Sequence, residues 1–557
     1  MSSSSSLEKS PSAKHETMHS FMGMRGPRLN FAVSVIAGVG FLLFGYDQGV
    51  MGSLLTLESF RHTLPEIDVQ DNPSRSTLQG FVIALYELGC MSSALSTIYL
   101  GDKLGRLRII FLGAIIMTIG GALQSCAYTL AHFIVARVVT GIGNGFITST
   151  VPVWQAEASK SHMRGKLIMM EGSLIALGIT ISYWVDFALY FAREGPTHDV
   201  SWRFPIAFQC VFGLILIACI LKFPESPRWL LKKNRENDAR VVFSAMYDLP
   251  DDDPLINAQI DEVKQSIATE VDSGLDKFSL KSLFTQGEKR NFHRACLAFC
   301  VQMMQQISGI NLITYYAGTI FEVYIGMPPK QSKILAACNG TEYFLASLIG
   351  FWTIERLGRR FLLIWGAVGM SVTMAILTAT NWKANPDFKN LDSPDKDSKA
   401  AIASAVFLFV FNSCFGITYL GGTWLVPPEI LPLGIRAPGA ALSTAANWIF
   451  NFLIVMITPP AFTNIGPYTY TIFAVINALM VPVVYFLYPE TKGRSLEEMD
   501  IIFGQCPVNQ PWKVVQIAND LPYMHAGANN NEDIEDKPKG SFEHDEKVSV
   551  REEELMG

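Results

Sequence analysis

The sequence predicts an all-α membrane protein, with twelve transmembrane helices in two pseudo-symmetric six-helix bundles. Three observations lead there. Only 17% of the 557 residues are charged, against about a quarter in a soluble chain. The apolar residues gather into twelve runs, each close to the roughly 20 residues that span a bilayer. The first six runs and the last six carry matching charged motifs in the same order.

A polar, Ser-rich tail, 1–29, precedes the first run at 30–50, which is too long for a signal-peptide core and lacks a small-residue cleavage site, so it is a retained helix. Runs at 78–100, 108–127, 130–152, 167–191 and 202–222 complete an N-terminal bundle, 30–222. A polar segment, 223–292, mixes charged and apolar positions and predicts short surface helices rather than another domain. Runs at 293–323, 331–354, 361–381, 401–425, 437–459 and 469–488 form a second bundle, 293–490. The tail, 491–557, is acidic and predicted to be disordered at its end. Lys and Arg crowd the 2–3, 4–5 and 8–9 connections ("GDKLGRLR", "KSHMRGK", "ERLGRR"), whereas the opposite connections are short and poorly charged apart from 382–400. Basic loops favour the cytoplasmic side, so both termini are expected there, with the plasma membrane as the default location.

The halves repeat. "GDKLGRLR" follows span 2 as "ERLGRR" follows span 8, "VWQAEASKSHMRG" matches "PPEILPLGIRAPG" after spans 4 and 10, and "PESPR" matches "PETKGR" after spans 6 and 12. Glu157 precedes Arg164, and Glu429 precedes Arg436, by seven residues. Charges at helix ends pair with one another and with helix dipoles. The set Gly101, Asp102, Gly105, Arg106, Glu157, Arg164, Glu225, Arg228, Glu355, Arg356, Gly358, Arg359, Glu429, Arg436 and Glu490 is therefore expected to latch the two bundles together at the cytoplasmic end.

The motifs "GDKLGR", "PESPRWL", "QQISGIN", "ERLGRR" and "PETKGR" resemble the sugar porter family of the major facilitator superfamily from about residue 30 to 505. "FGYDQGVMGSL", "YELGC", "VPVWQAE", "EGSLIALG" and "SYWVDF" resemble a fungal branch that includes glycerol/proton symporters and sugar transporters. The resemblance implies a site at mid-membrane between two parallel halves, an arrangement for which the superfamily is itself the standard example.

Ionisable residues inside spans are costly and mark function. Asp47 interrupts the apolar stretch 31–55 and Arg137 interrupts span 4. A buried arginine stays charged and needs an acceptor, while a carboxylate neutralises by taking a proton. A facing pair is therefore a proton switch, and the resemblance implies that role for Asp47 and Arg137; the alternative is a structural ion pair in a facilitator. Glu87 reads as a second proton site or a buried helix partner, Glu171 as part of the cytoplasmic charge network, and Asp186 as a carboxylate near the outer end of span 5.

Hydroxylated substrates call for amides that both donate and accept, beside aromatic faces. Span 7 offers Gln305, Gln306, Asn311 and Tyr315, with Gly309 permitting local unwinding. By resemblance, Gln305, Gln306, Asn311, Trp424, Asn447 and Trp448 fall on sugar-contacting positions and Tyr315 on an extracellular gate. The alternative is that these residues bind helix to helix. One departure stands out: Gly172 occupies the place of a glutamine usual in hexose and pentose carriers, and Asn339 or Tyr343 stands in for an asparagine of span 8. Both fit a polyol such as glycerol or a sugar in another pose.

The nine cysteines are scattered and form no CxxC pair, which supports neither a zinc site nor a disulfide framework. "NGT" at 339–341 lies inside span 8, out of reach of glycosylation. The expected protein is a monomeric proton symporter for a small sugar or polyol. It is embedded in the lipid bilayer, binds no nucleic acid, metal or cofactor beyond the coupling proton, and is not an enzyme. An uncoupled facilitator and a non-transporting nutrient sensor are the alternatives.

Overall fold

A computed structural model of the chain describes residues 19–158, 164–191, 199–272, 283–384 and 397–522. Among the described residues, twelve helices long and apolar enough to cross a membrane follow one another. They are α1 (Gly26–Leu54), α2 (Ser76–Leu104), α3 (Arg106–Ser125), α4 (Leu130–Glu157), α5 (Arg164–Tyr190) and α6 (Val200–Cys219). The second half holds α7 (Asn291–Ile307 and Ile310–Thr319), α8 (Pro329–Leu357), α9 (Arg359–Ala384), α10 (Ser398–Ile430), α11 (Arg436–Ile465) and α12 (Tyr468–Leu487). Among the described residues the only β pairing is a bridge between Phe21 and Met24. All twelve expected spans are therefore helical.

Short helices Pro227–Lys232, Glu236–Tyr247 and Pro254–Asp272 occupy the segment between the halves. After α12, the chain forms two further short helices, Leu496–Gln505 and Lys513–Asp520. Met499, Ile502, Phe503 and Val514 bury themselves, and Asp500 pairs with Arg294 at 2.6 Å. This docked segment is absent from the sequence expectations, because its apolar residues are too few to stand out against twelve membrane spans.

Close helix packing sets the geometry of the centre. Gly45 of α1 and Gly178 of α5 face each other's backbones, and a Cβ at Gly45 would meet the Ile175 carbonyl carbon at 2.7 Å and its Cα at 2.9 Å. In a membrane, where tails are as apolar as side chains, such small-residue contacts carry helix association. Gly45→Val should therefore abolish the monodisperse peak in detergent size-exclusion chromatography. A wild-type peak would refute this contact as a requirement. The same device joins α2 to α4, where Gly141 and Gly145 lie against the Tyr86 and Cys90 backbones. Between the halves, α2 runs along α11, α5 along α8, and α1 against α7.

Helix α7 breaks where glycine allows it. Gly309 has φ +98°, a left-handed conformation that costs glycine little, and the helix restarts at Ile310. The Ser308 carbonyl freed by the break accepts from Asn477 Nδ2 at 2.9 Å, as buried backbone groups require.

Candidate functional site

Two polar clusters meet at the middle of the bundle pair. The first is ionic. Asp47 on α1 and Arg137 on α4 are both wholly buried, with Arg137 Nη1 3.5 Å from Asp47 Oδ2. Arg137 Nη2 donates to the Ile83 carbonyl at 2.8 Å, and its guanidinium lies 4.8 Å from the centre of the Tyr86 ring. Removing one partner of such a pair costs about 3–5 kcal/mol, because the other charge is left buried and uncompensated. Glu87, also wholly buried, lies within electrostatic reach of Arg137 and Asp47 and beside the Tyr315 hydroxyl of α7.

The second cluster is a ladder of amides. Gln48, the residue after Asp47, donates to Asn311 Oδ1 at 2.8 Å, joining the N-terminal half to α7. Asn311 Nδ2 donates to Gln306 Oε1, and Gln306 Nε2 to Gln305 Oε1 at 3.4 Å. Asn447 Nδ2 of α11 donates to Gln305 Oε1 at 2.9 Å and to Gln302 Oε1 at 2.7 Å. Gln305 and Gln302 then donate to carbonyls of α10, at Tyr419, Leu420 and Thr423. Each amide swaps donor for acceptor by rotation, so the ladder can rearrange around a polyhydroxylated guest without leaving a buried group unpaired.

Of the substrate positions suggested by the sequence, Gln305, Gln306, Asn311 and Asn447 thus come together. Trp448 is buried beside them and contacts the other half through Phe44 (5.2 Å between ring centres) and Tyr86 (6.3 Å). Tyr315 is fully buried and faces Glu87 rather than the ladder. Trp424 is half-buried, one residue past the Thr423 carbonyl used by Gln302. Gly172 lies against Leu420 and Gly421, Asn339 accepts from Asn412 Nδ2 at 2.8 Å, and Tyr343 packs on Phe415. Glu171 is buried, and the Arg164 side chain that would complete its network lies outside the described residues. Sequence reasoning missed Gln48 and Gln302. Gln302 was findable, since it lies three residues before Gln305 and hence on the same helix face.

The charged repeats pair differently from their spacing in the sequence. Glu157 binds Arg106 Nε at 3.1 Å, and Glu429 binds Arg359 Nη2 at 2.9 Å, with Glu355 adding a second acid at 3.2 Å. Arg436 instead points to the Leu431 carbonyl. The geometry repeats between halves. Gly105 and Gly358 share φ +90°, Glu225 accepts from the Arg106 and Leu107 amides, and Glu490 from those of Arg359 and Arg360. Acids thereby cap the exposed N-terminal amides of α3 and α9. Burial holds the Glu225 carboxyl above its ordinary range, against the pull of the Ser226, Leu107 and Arg106 amides. Asp102 pairs with Lys232, Arg228 reaches Ser266 Oγ, and the Arg356 side chain is exposed while its carbonyl accepts from Lys492. Gly101 gives its carbonyl to Arg106. Each of these contacts stays within one half or joins it to the segment that directly follows it, apart from Arg228 to Ser266 inside the 223–292 segment. Among the described residues these contacts brace each bundle, and the Arg164 side chain of the expected latch lies outside the described residues.

Besides the Gln48–Asn311 bond at the centre, further bonds that cross between halves among the described residues lie toward the opposite end. Lys333 of α8, only 2% exposed, donates to the Ser53 carbonyl at 3.1 Å and to Thr56 Oγ1 at 2.9 Å, with Glu322 4.0 Å away. Asp186 adds its charge to the same group. Tyr183 donates to the Thr314 carbonyl at 2.5 Å and Thr180 to that of Gly340 at 2.7 Å. Lys333→Met removes a buried charge-assisted tie and should open this end. A cysteine placed at Ser53 (S53C) is expected to react several-fold faster with an impermeant maleimide in that background, and equal rates would refute the tie.

Two six-helix halves, related by repeated brace geometry and meeting at a buried polar centre, define a membrane transporter of the major facilitator class. The chain belongs to the family described as "Sugar (and other) transporter", which it matches over residues 33–503. It is 38% identical over 513 residues to Sugar transporter STL1 of Saccharomyces cerevisiae, covering 91% of this chain and 86% of that one. It is 30% identical over 500 residues to High glucose sensor RGT2 of the same yeast, covering 87% of this chain and 62% of that one. The fold is also that of the proton:xylose symporter XylE bound to 6-bromo-6-deoxy-D-glucose (TM-score 0.70, 22% identity, 85% of this chain and 99% of that one). The protein is thus a multi-pass membrane transporter and not an enzyme.

Proposed function

We propose that the protein is a proton-coupled symporter that imports a sugar or polyol by alternating access, with both termini cytoplasmic at the plasma membrane. The observation that carries this reading is the buried pair of Asp47 with Arg137, one residue away from the ladder that begins at Gln48. Protonating Asp47 weakens its hold on Arg137 and changes the charge at the seam of the two halves. Substrate engaging the ladder changes the bond from Gln48 to Asn311, which crosses the same seam. Proton and substrate therefore bias one equilibrium, which is what coupling requires. The likeness to STL1, named as a sugar transporter, and to the symporter XylE supports this class of cargo. The orientation rests on the basic connections after α2, α4 and α8.

The test is expression in yeast lacking its own sugar and glycerol carriers, with uptake of labelled glycerol, D-glucose and D-xylose measured beside external pH. Uptake of one of them with alkalinisation of the medium is expected. Uptake without alkalinisation would make the protein a facilitator. No uptake would favour the second reading, a sensor, which the similarity to RGT2 supports.

A further inference from the structure

The Asp47–Arg137 switch carries a physical difficulty. Once Asp47 is neutral, Arg137 would be a wholly buried cation without a counter-charge, at a cost of several kcal/mol. The Tyr86 ring at 4.8 Å and the Ile83 carbonyl soften that cost without cancelling a charge. The chain supplies another acid at this point. Glu87 lies on α2, one turn from Ile83, and is fully buried. The groups around it are Arg137 from α4, Asp47 from α1, Tyr315 and Tyr316 from α7, and Tyr86 and Cys90 on its own helix. Arg137 is the one cation among them, and no lysine, arginine or histidine of the described residues forms an ion pair with Glu87 within 4.0 Å. From α11 the neighbouring side chain is the uncharged Trp448, against Tyr86.

Two buried carboxyl groups thus lie near one guanidinium: Asp47 pairs with it at 3.5 Å, while Glu87 feels its charge and both Glu87 oxygens are without a hydrogen-bond partner among the described residues. We propose that Glu87 is the second acid of the proton-binding site: Arg137 is shared between Asp47 and Glu87, and one proton is shared between the two carboxylates. This rests on the symporter reading above. With one proton bound, Arg137 is neutralised by whichever carboxylate remains ionised, and the cluster has no net charge. With none bound, it carries one net negative charge. That excess, in a poorly screened interior, raises the cluster's affinity for a proton arriving from outside. The proton is therefore a property of the pair rather than of either acid. Tyr315 gives the pair a line to the other half, because its hydroxyl on α7 faces Glu87, six residues beyond the break at Gly309.

The sign of the effect follows. In Glu87→Gln, Asp47 alone competes for Arg137 and no second negative charge repels its ionised form, so a proton binds less readily. Reconstituted in liposomes on a solid-supported membrane, the wild type should give a charge displacement on an acid jump without any substrate. In Glu87→Gln the midpoint of that response should fall by about one pH unit or more, the scale of a neighbouring charge. Glu87→Asp keeps the charge and should stay near wild type. Counterflow of the labelled glycerol, D-glucose or D-xylose that the wild type carries should persist in Glu87→Gln, which separates a charge effect from a misfolded protein. An unchanged midpoint in a Glu87→Gln protein that still performs counterflow or elutes as a single peak would overturn the proposal. The underlying reading fails separately, if Asp47→Asn keeps both its proton signal and its substrate-driven proton uptake.

Discussion

Asp47→Asn is expected to abolish accumulation of substrate while leaving exchange across the membrane intact. The asparagine has the shape of the protonated carboxyl and cannot ionise, so the seam is held permanently in its proton-loaded charge state. Arg137 keeps the Ile83 carbonyl at 2.8 Å and the nearby Glu87, which protects the fold from an orphaned cation. The variant should therefore equilibrate labelled substrate, and perform counterflow at a rate comparable to wild type, without a concentration gradient and without alkalinising the medium. The measurements are steady-state internal concentration and external pH in the transporter-null yeast. Arg137→Ala makes the contrast, since it leaves two buried carboxyl groups with no cation and should reduce both coupled and exchange modes. Undiminished alkalinisation in Asp47→Asn would end the assignment of Asp47 as the coupling group.

The fold was legible because its dominant signal is a long-range average. Runs near 20 residues survive local irregularity, and even the break in α7 was foreshadowed by Gly309 within "QQISGIN". The docked helices after α12 were not legible, because a packing face of Met499, Ile502 and Phe503 looks like any short apolar patch. In the site, Asp47 and Arg137 stood out as charges inside apolar runs, and their separation of 90 residues could be closed only by assuming facing helices. The braces show the limit of spacing arguments. The spacing of seven residues from Glu157 to Arg164, and from Glu429 to Arg436, marked the repeat but named no pairing partners. The structure pairs Glu157 and Glu429 with Arg106 and Arg359, arginines at the starts of neighbouring helices. Lys333 was invisible for a different reason. It lies near the start of a span, where a lysine ordinarily reaches for water, and only the contacts of α8 with the end of α1 bury it.

Gln305→Leu should raise the apparent KM for substrate by roughly 5- to 150-fold and leave the proton site unaltered. Gln305 is the junction of the ladder. Its Oε1 accepts from Gln306 and Asn447, and its Nε2 donates to the Tyr419 and Leu420 carbonyls, just before the paired glycines Gly421 and Gly422 of α10. Leucine matches the volume but offers neither group, so Asn447 loses one acceptor and the α10 carbonyls lose their donor. A buried polar group left unpaired costs about 1–3 kcal/mol, which in affinity is roughly 5- to 150-fold. The Leu variant pays this on binding as well, since a hydroxyl that exchanges with Gln305 in the wild type finds no partner there. Asp47 and Arg137 contact none of these atoms, so the pH midpoint of uptake should match wild type while the KM rises. Gln306→Leu, at the edge between Gln305 and Asn311, should show a smaller rise, because Asn311 keeps its bond from Gln48 at 2.8 Å. If Gln305→Leu leaves the KM unchanged, the ladder is helix-to-helix adhesive and substrate binds elsewhere. If it moves the pH midpoint as well, the ionic and amide clusters are a single unit, and the separation of proton from substrate sites drawn above is wrong.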